Sequence, residues 1–313
     1  MKIEPEEPEP VIRKAKPEDI EEILELFREL YTPYHGCTKE QVVRKDIEDE
    51  DIVSYVAVSK LGVVGHGQIR PVEGYPFTDE KSLEISRLGV RKNSQNKGLC
   101  KNLVKVLSDV AFLKNPEFVI SCFNTASDYS QRALRPFKLT PVMLALGCSY
   151  DLAGIGDSNS LLISMTLNKD ELNQKTEVYI PKRYCKLAGL VYRDMGLDRR
   201  LRKKGDDDTD LSEFKSRLDD MVKRSEEMIR RESCSPNYIT INITRPSAFE
   251  QIEMARQAGL VVTGLIPLYR RRNGTREDRL IMSYIPHLNL NKVKTAPGLN
   301  EKFANTVFEA MYD

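Results

Sequence analysis

The sequence predicts an α/β protein with a mixed α+β sheet, organised as a first unit over residues 11–168 and a second, smaller α/β unit over 175–290. Three observations predict it. Between Leu88 and Cys100 an apolar strand runs into a polar loop whose Gly98 opens an amphipathic helix. Another strand, over 118–123, follows that helix at once, which makes a βαβ unit whose crossover between parallel strands must be right-handed. After residue 175, strand and helix patterns alternate again without such a loop.

Taken in order, residues 1–10 are an acidic, proline-rich lead (Glu4, Pro5, Glu6, Glu7, Pro8, Glu9, Pro10) that cannot bury enough apolar surface to order. Val11 to Lys14 opens the sheet. Pro17, Glu18 and Asp19 begin a helix with apolar positions Ile20, Ile23, Leu24, Phe27 and Leu30. A turn-rich break over 32–37 precedes a shorter helix from Lys39 to Ile47. Ile52 to Ser59 and Val63 to Val72 form a hairpin joined at Lys60, Leu61 and Gly62. In Ser82 to Val90, alternation puts Leu83, Ile85 and Arg87 on one face and Glu84, Ser86, Leu88 and Val90 on the other. Leu99, Leu103, Val106, Leu107, Val110 and Ala111 recur at helical spacing until Asn115 and Pro116 stop the helix. Ser127 to Leu134 reads as a short helix, and Val142 to Cys148 and Ser160 to Leu167 as closing strands.

In the second unit, Glu177 to Ile180 is a strand. Pro181 starts a helix carrying Tyr184, Leu187, Ala188, Val191 and Met195, ended by Gly196. A charged bridge over 199–210 leads to a helix with Phe214, Leu218, Met221, Val222 and Ile229. Tyr238 to Ile243, Leu260 to Ile266 and Arg279 to Ile285 are strands, with a helix from Ala248 to Ala258 and a turn at Asn273 and Gly274. The tail, 291–313, holds a last helix from Asn300 to Met311. The basic clusters at 199–204 and 270–272 read as solvated surface, the first balanced by Asp206, Asp207 and Asp208.

Composition narrows the function. With 48 basic and 47 acidic residues the net charge is +1, which offers no global attraction to nucleic acid or to an anionic membrane. No apolar run approaches the roughly 20 residues a membrane helix needs. The acidic start is the opposite of a secretion signal, and six cysteines scattered without Cys-x-x-Cys pairs indicate neither a disulfide frame nor a metal site, so a reducing cytoplasm is expected.

The Leu88–Cys100 stretch carries the chemistry. N–H groups at a helix N-terminus lack intrahelical partners and the helix dipole adds positive charge, so an anionic phosphate is held there, with Lys97 and Lys101 adding charge from the side. A dinucleotide fold would require Gly-x-Gly-x-x-Gly, and this loop lacks the first two glycines. The spacing from Val90 to Gln95, Gly98 and Cys100 resembles the Gln/Arg-x-x-Gly-x-Gly/Ala signature of the GNAT acyl-CoA N-acyltransferase superfamily. Cys100 replaces the usual Gly or Ala, and Lys92 stands where Pro is common. The order of elements over 11–168, about half the chain, is similar to that of the superfamily, and the second unit resembles a degenerate GNAT-like domain that has lost its cofactor site.

The resemblance implies acetyl-CoA as co-substrate, no metal, and a gap between splayed parallel strands that accepts the pantetheine arm. Leu88, Gly89 and Val90 would line one side and Cys122 to Asn124 the other, with the diphosphate on Gln95, Asn96, Lys97, Gly98, Leu99, Cys100 and Lys101. It implies acetyl transfer to a primary amine by direct attack in a ternary complex. The competing class is a non-catalytic acyl-CoA sensor or a protein-interaction module on the same fold. Transfer requires a base for the amine, polarisation of the thioester and a proton for the departing thiolate. Glu84 is the candidate base, unless it pairs with Arg87 or Lys81; the Val90 N–H would polarise the carbonyl; Tyr129 is the candidate acid. His66 would line the acceptor side or serve as a satisfied core group. The acceptor, small molecule or protein, and the oligomeric state stay open.

Overall fold

The structure is a computed structural model. It describes residues 9–31, 36–72, 82–125, 129–134, 137–149, 159–167, 176–202, 210–230, 238–272, 275–285, 293 and 295–312. The acidic lead up to residue 8, the unit boundary expected between 168 and 175, the Asn273–Gly274 turn and the charged stretch 203–209 lie outside the described residues.

Twelve strands and eight α-helices are formed by the described residues. In the first half these are β1 (Val11–Lys14), α1 (Ile20–Leu30), α2 (Glu40–Glu48), β2 (Val53–Ser59), β3 (Gly62–Pro71), β4 (Ser82–Val90), α3 (Leu99–Leu113), β5 (Phe118–Asn124), α4 (Tyr129–Leu134), β6 (Thr140–Ser149) and β7 (Asn159–Leu167). β1 to β4 form an antiparallel meander. The apolar stripes account for the layers. Ile23, Leu24 and Phe27 of α1 are buried with Val43 and Val56 on one face, and Leu99 and Leu103 of α3 with Ala57, Val64 and Val90 on the other.

One strand departs from simple alternation. Opposite β3, His66 pairs with Gly89 and Gln68 with Ser86, so two residues of β4, Arg87 and Leu88, face Gly67 alone. This is a β-bulge, with Arg87 at φ 48°. The extra residue reverses the faces: Ile85 and Val90 both pack toward α3, whereas Glu84, Ser86 and Gly89 share the α1 face with His66 and Gln68. Glu84 and Val90, expected on one face, therefore lie on opposite faces.

The second half adds β8 (Thr176–Tyr179), α5 (Cys185–Asp194), β9 (Arg199–Arg202), α6 (Ser212–Arg230), β10 (Tyr238–Asn242), α7 (Ala248–Gln257), β11 (Val261–Arg272), β12 (Thr275–Ser283) and α8 (Leu299–Tyr312). Ten strands make one sheet in the order β1-β2-β3-β4-β5-β7-β6-β11-β12-β10, and β8 and β9 form a separate parallel pair. The halves meet at β6 and β11, where Gly264 lies opposite Met143. A Cβ at Gly264 would come within 2.6 Å of the Val142 carbonyl oxygen, so only glycine permits this approach. About that seam the order β5-β7-β6 is mirrored by β11-β12-β10, each a strand, helix and hairpin. One apolar core runs through both halves and includes Phe303 and Val307 of α8.

The first basic cluster departs from the expected solvated bridge. Arg199 to Arg202 is strand β9, paired with β8. Arg199 is buried, its Nε 2.6 Å from Asp278 Oδ2 and its guanidinium 5.7 Å from the Tyr192 ring centre. The second cluster ends β11. No helix among the described residues is long and apolar enough to cross a membrane.

Candidate active site

The site is built where β4 leaves the sheet and α3 begins. Gly98, at φ 77°, is the N-cap of α3, a left-handed conformation that glycine adopts without strain. No side chain caps this helix. Its first backbone bond runs from the Asn102 N–H to the Gly98 carbonyl, and the N–H groups of Leu99, Cys100 and Lys101 meet no acceptor among the described residues. A Cβ at Gly98 would touch nothing within 4 Å, so the space over these donors is open. Lys97 and Lys101 are exposed beside it, while Leu99 anchors the turn in the core. Cys100 fits in the small-residue position, and burial pushes its thiol up to about 11, which keeps it protonated and uncharged next to the donors.

The loop before the helix is braced from both ends. Gln95 Nε2 donates to the Val90 carbonyl at 2.9 Å. The Lys92 N–H donates to Glu29 Oε1 of α1 at 2.8 Å, and Arg91 bonds the Val63 carbonyl and pairs with Glu25 and Glu29. Gln95 to Gly98 remain exposed. These open, fixed donors suit a diphosphate.

β4 and β5 are parallel neighbours for three residue pairs only: Ser82 with Phe118, Leu83 with Val119 and Glu84 with Ile120. Beyond them Ser121 Oγ reaches the Ile85 carbonyl at 2.9 Å, and the strands part. The Arg91 N–H is bonded to the Val64 carbonyl, so strand alternation turns the Val90 N–H away from β3 and into the gap. Leu88 is half-buried along this edge and Cys122 is exposed across it. Asn124 ends β5, its backbone paired with Leu161 of β7, and Tyr129 is the first residue of α4; both side chains lie outside the described set.

Glu84 stands at the fork as the last paired residue. Its partner is Arg70 of β3, with Nε 2.8 Å from Oε2, rather than Arg87; Lys81 lies outside the described residues. Arg87 instead pairs with Asp46 of α2. His66 is a satisfied core group: its Nδ1 lies 3.1 Å from the Arg87 carbonyl and its ring packs edge-on against Phe27 at 5.0 Å. Burial pushes it down to about 4, so the ring is neutral and Nδ1–H donates. Together His66, Gln68 and Arg70 of β3 and Ser82, Glu84 and Ser86 of β4 form a polar face under α1. Sequence reading missed Gln68, Arg70 and Ser86. Their signal was two adjacent strands that each alternate three polar residues on one side. Among the described residues, no three His, Cys, Asp or Glu gather to hold a metal ion.

Residues 20–138 match the model of the acetyltransferase (GNAT) family. Similar solved structures include an N-acetyltransferase from Staphylococcus aureus, 16% identical over 51% of this chain and 98% of that chain with a TM-score of 0.44. A ribosomal-protein-alanine N-acetyltransferase from Brucella melitensis is 16% identical over 50% of this chain and 99% of its own, with a TM-score of 0.43. Arabidopsis thaliana NAA60, in complex with a bisubstrate analogue, is 17% identical over 50% and 97%, with a TM-score of 0.42. No curated protein matches the chain.

Proposed function

We propose, from the match of residues 20–138 to the acetyltransferase (GNAT) family model, that the protein is an acyl-CoA-dependent N-acyltransferase that moves an acetyl group from acetyl-CoA to a primary amine by direct attack in a ternary complex. The observation that carries the reading is a parallel strand pair that parts after three residues beside a helix start with three open N–H donors. The donors of Leu99, Cys100 and Lys101, with Gly98 leaving room above them, bind the diphosphate, and Gln95, Asn96 and Lys97 shape the loop. Leu88, Gly89 and Val90 on β4 face Cys122 and Asn124 on β5, and unpaired backbone groups along these edges complete a ladder with the pantetheine amides.

The chemistry follows from the fork. The Val90 N–H donates to the thioester oxygen as negative charge builds there. Glu84 takes a proton from the acceptor ammonium through a water, while Arg70 fixes its carboxylate. The free amine attacks the carbonyl carbon, an N–C bond forms, the C–S bond breaks, Tyr129 at the start of α4 delivers a proton to the departing sulfur, and the proton the new amide nitrogen sheds returns through water to the Tyr129 phenolate. The second unit buttresses this half through the shared core and closes the acceptor side.

Calorimetry with acetyl-CoA and free-thiol release with an amine panel test the reading. Binding with amine-dependent thiol release supports it, and Glu84→Gln is expected to keep binding while lowering transfer at least about 100-fold. Binding without transfer to any amine indicates a sensor instead.

A further inference from the structure

Three polar side chains lie in one row across the sheet and take no part in the chemistry above. Ser54 of β2 pairs with Gln68 of β3, and Gln68 with Ser86 of β4. All three point to the α1 face. Ser54 and Gln68 are 3% and 1% exposed, and Ser86 is half-buried at the end of the row nearest the fork. Among the described residues, Ser54 Oγ, Gln68 Nε2 and Ser86 Oγ have no hydrogen-bond partner. Buried polar atoms are ordinarily bonded, and three orphans in adjacent register positions mark a place where something else supplies the bonds.

The surrounding charges say what kind of group that is. On either side of the row, Arg70 is paired with Glu84 and Arg87 with Asp46, and His66 is neutral. A carboxylate on the ligand would need an uncommitted cation, and a second ammonium would need an uncommitted anion. The row supplies neither, but it does offer an amide N–H and hydroxyls one register step from Glu84. We propose that Gln68 and Ser86, backed by Ser54, form an acceptor-recognition subsite for an uncharged hydrogen-bonding group, an amide or a hydroxyl, carried on the carbon next to the reacting amine. This rests on the N-acyltransferase reading. Gln68 and Ser86 are specificity residues: they hold the substrate's polar arm so that its amine faces the fork.

The test is a matched set of acceptors sharing one skeleton: alaninamide, alaninol, alanine and 1,2-diaminopropane. The full-length protein is expected to acetylate the first two with kcat/KM at least about tenfold above the last two. Gln68→Leu, similar in size and without the orphan amide, and Ser86→Ala are each expected to raise KM for alaninamide about tenfold, with kcat and acetyl-CoA affinity kept. If Gln68→Leu fails to fold, Ser86→Ala decides alone. Equal use of all four acceptors, preference for alanine or the diamine, or unchanged selectivity in the variants overturns the subsite. So does acetyl-CoA binding with no turnover of any of the four, which leaves the cofactor reading standing. Failure to bind acetyl-CoA removes both.

Discussion

Two strand-turn-helix junctions of the sheet, β4 into α3 and β10 into α7, treat their backbone donors in opposite ways. At the first, Asn96 and Gly98 take left-handed conformations, no side chain caps the helix, and three N–H groups are left open. At the second, Asn242 Oδ1 accepts from both the N–H and the hydroxyl of Thr244. The Ala248 and Phe249 N–H groups bond the carbonyls of Arg245 and Pro246, and the Ile243 N–H bonds the carbonyl of Asp278. The neighbouring strands differ in the same sense. β4 loses β5 after three pairs, whereas β10 stays paired with β12 along its length. On the proposed reading the first junction is left open for a ligand, whereas the second is closed by its own turn and backbone carbonyls; neither helix start has a side-chain cap, so the difference lies in the loop and not in a cap.

The largest expected effect comes from removing the anion buried beside the second junction, on the strand whose backbone closes it. Asp278 is fully buried, holds Arg199, and accepts from the Leu268 N–H at 2.8 Å. Asp278→Ala strands a buried guanidinium, and its expected cost is about 3–5 kcal/mol in urea unfolding. Acetyl-CoA affinity of the folded fraction should not change. A loss below about 1 kcal/mol would show that the Arg199–Asp278 pair does not hold the second half as described.

The polar face belongs to the first region only, and pH reads it. His66 has a folded value near 4 against an ordinary 6.5, so between these limits the unfolded chain binds the proton and the folded chain does not. Stability is therefore full above pH 6.5 and falls as pH drops toward 4, by about 3 kcal/mol from this group. His66→Gln should flatten that part of the profile, measured as urea midpoints across the window. Parallel profiles for the two proteins would mean the ring is charged in the fold.

What the sequence shows and hides follows the reach of its signals. Helical spacing and alternation are local, and they place α1, α3 and the β2–β3 hairpin to within a residue or two. The glycine-opened helix start is equally local. The bulge at Arg87 is not: nothing in Ser82 to Val90 announces one extra residue, yet it exchanges the faces and sets Glu84 opposite Val90. Arg199 reads as surface because its neighbours are basic; the carboxylate that buries it stands 79 residues away in the chain. The Gln68–Ser86 row is legible only once two strands are known to pair in register.

At the first junction, Gly98→Val places a β-branched residue at positive φ, a strain of about 1–2 kcal/mol, and puts methyl groups in the open space above the donors. The expected result in calorimetry is acetyl-CoA affinity lowered at least about tenfold. Unchanged affinity would place the diphosphate elsewhere.

The smallest effect is the most discriminating. Asn242→Ala removes the side chain that closes the second turn, and loss of such a bond costs about 1 kcal/mol. The variant frees the Thr244 N–H in the turn between a strand and a helix, as the first junction has open donors by nature, but without a parted neighbour strand, a glycine or flanking lysines. If open donors alone sufficed, this variant would gain a second weak site for a CoA diphosphate. The expectation is a stoichiometry that stays at one, with stability alone reduced, because the donors of α7 remain bonded to Arg245 and Pro246 and β10 offers no gap for the pantetheine arm. A second binding event would show that capping, and not the splay, is what separates the two halves of this sheet.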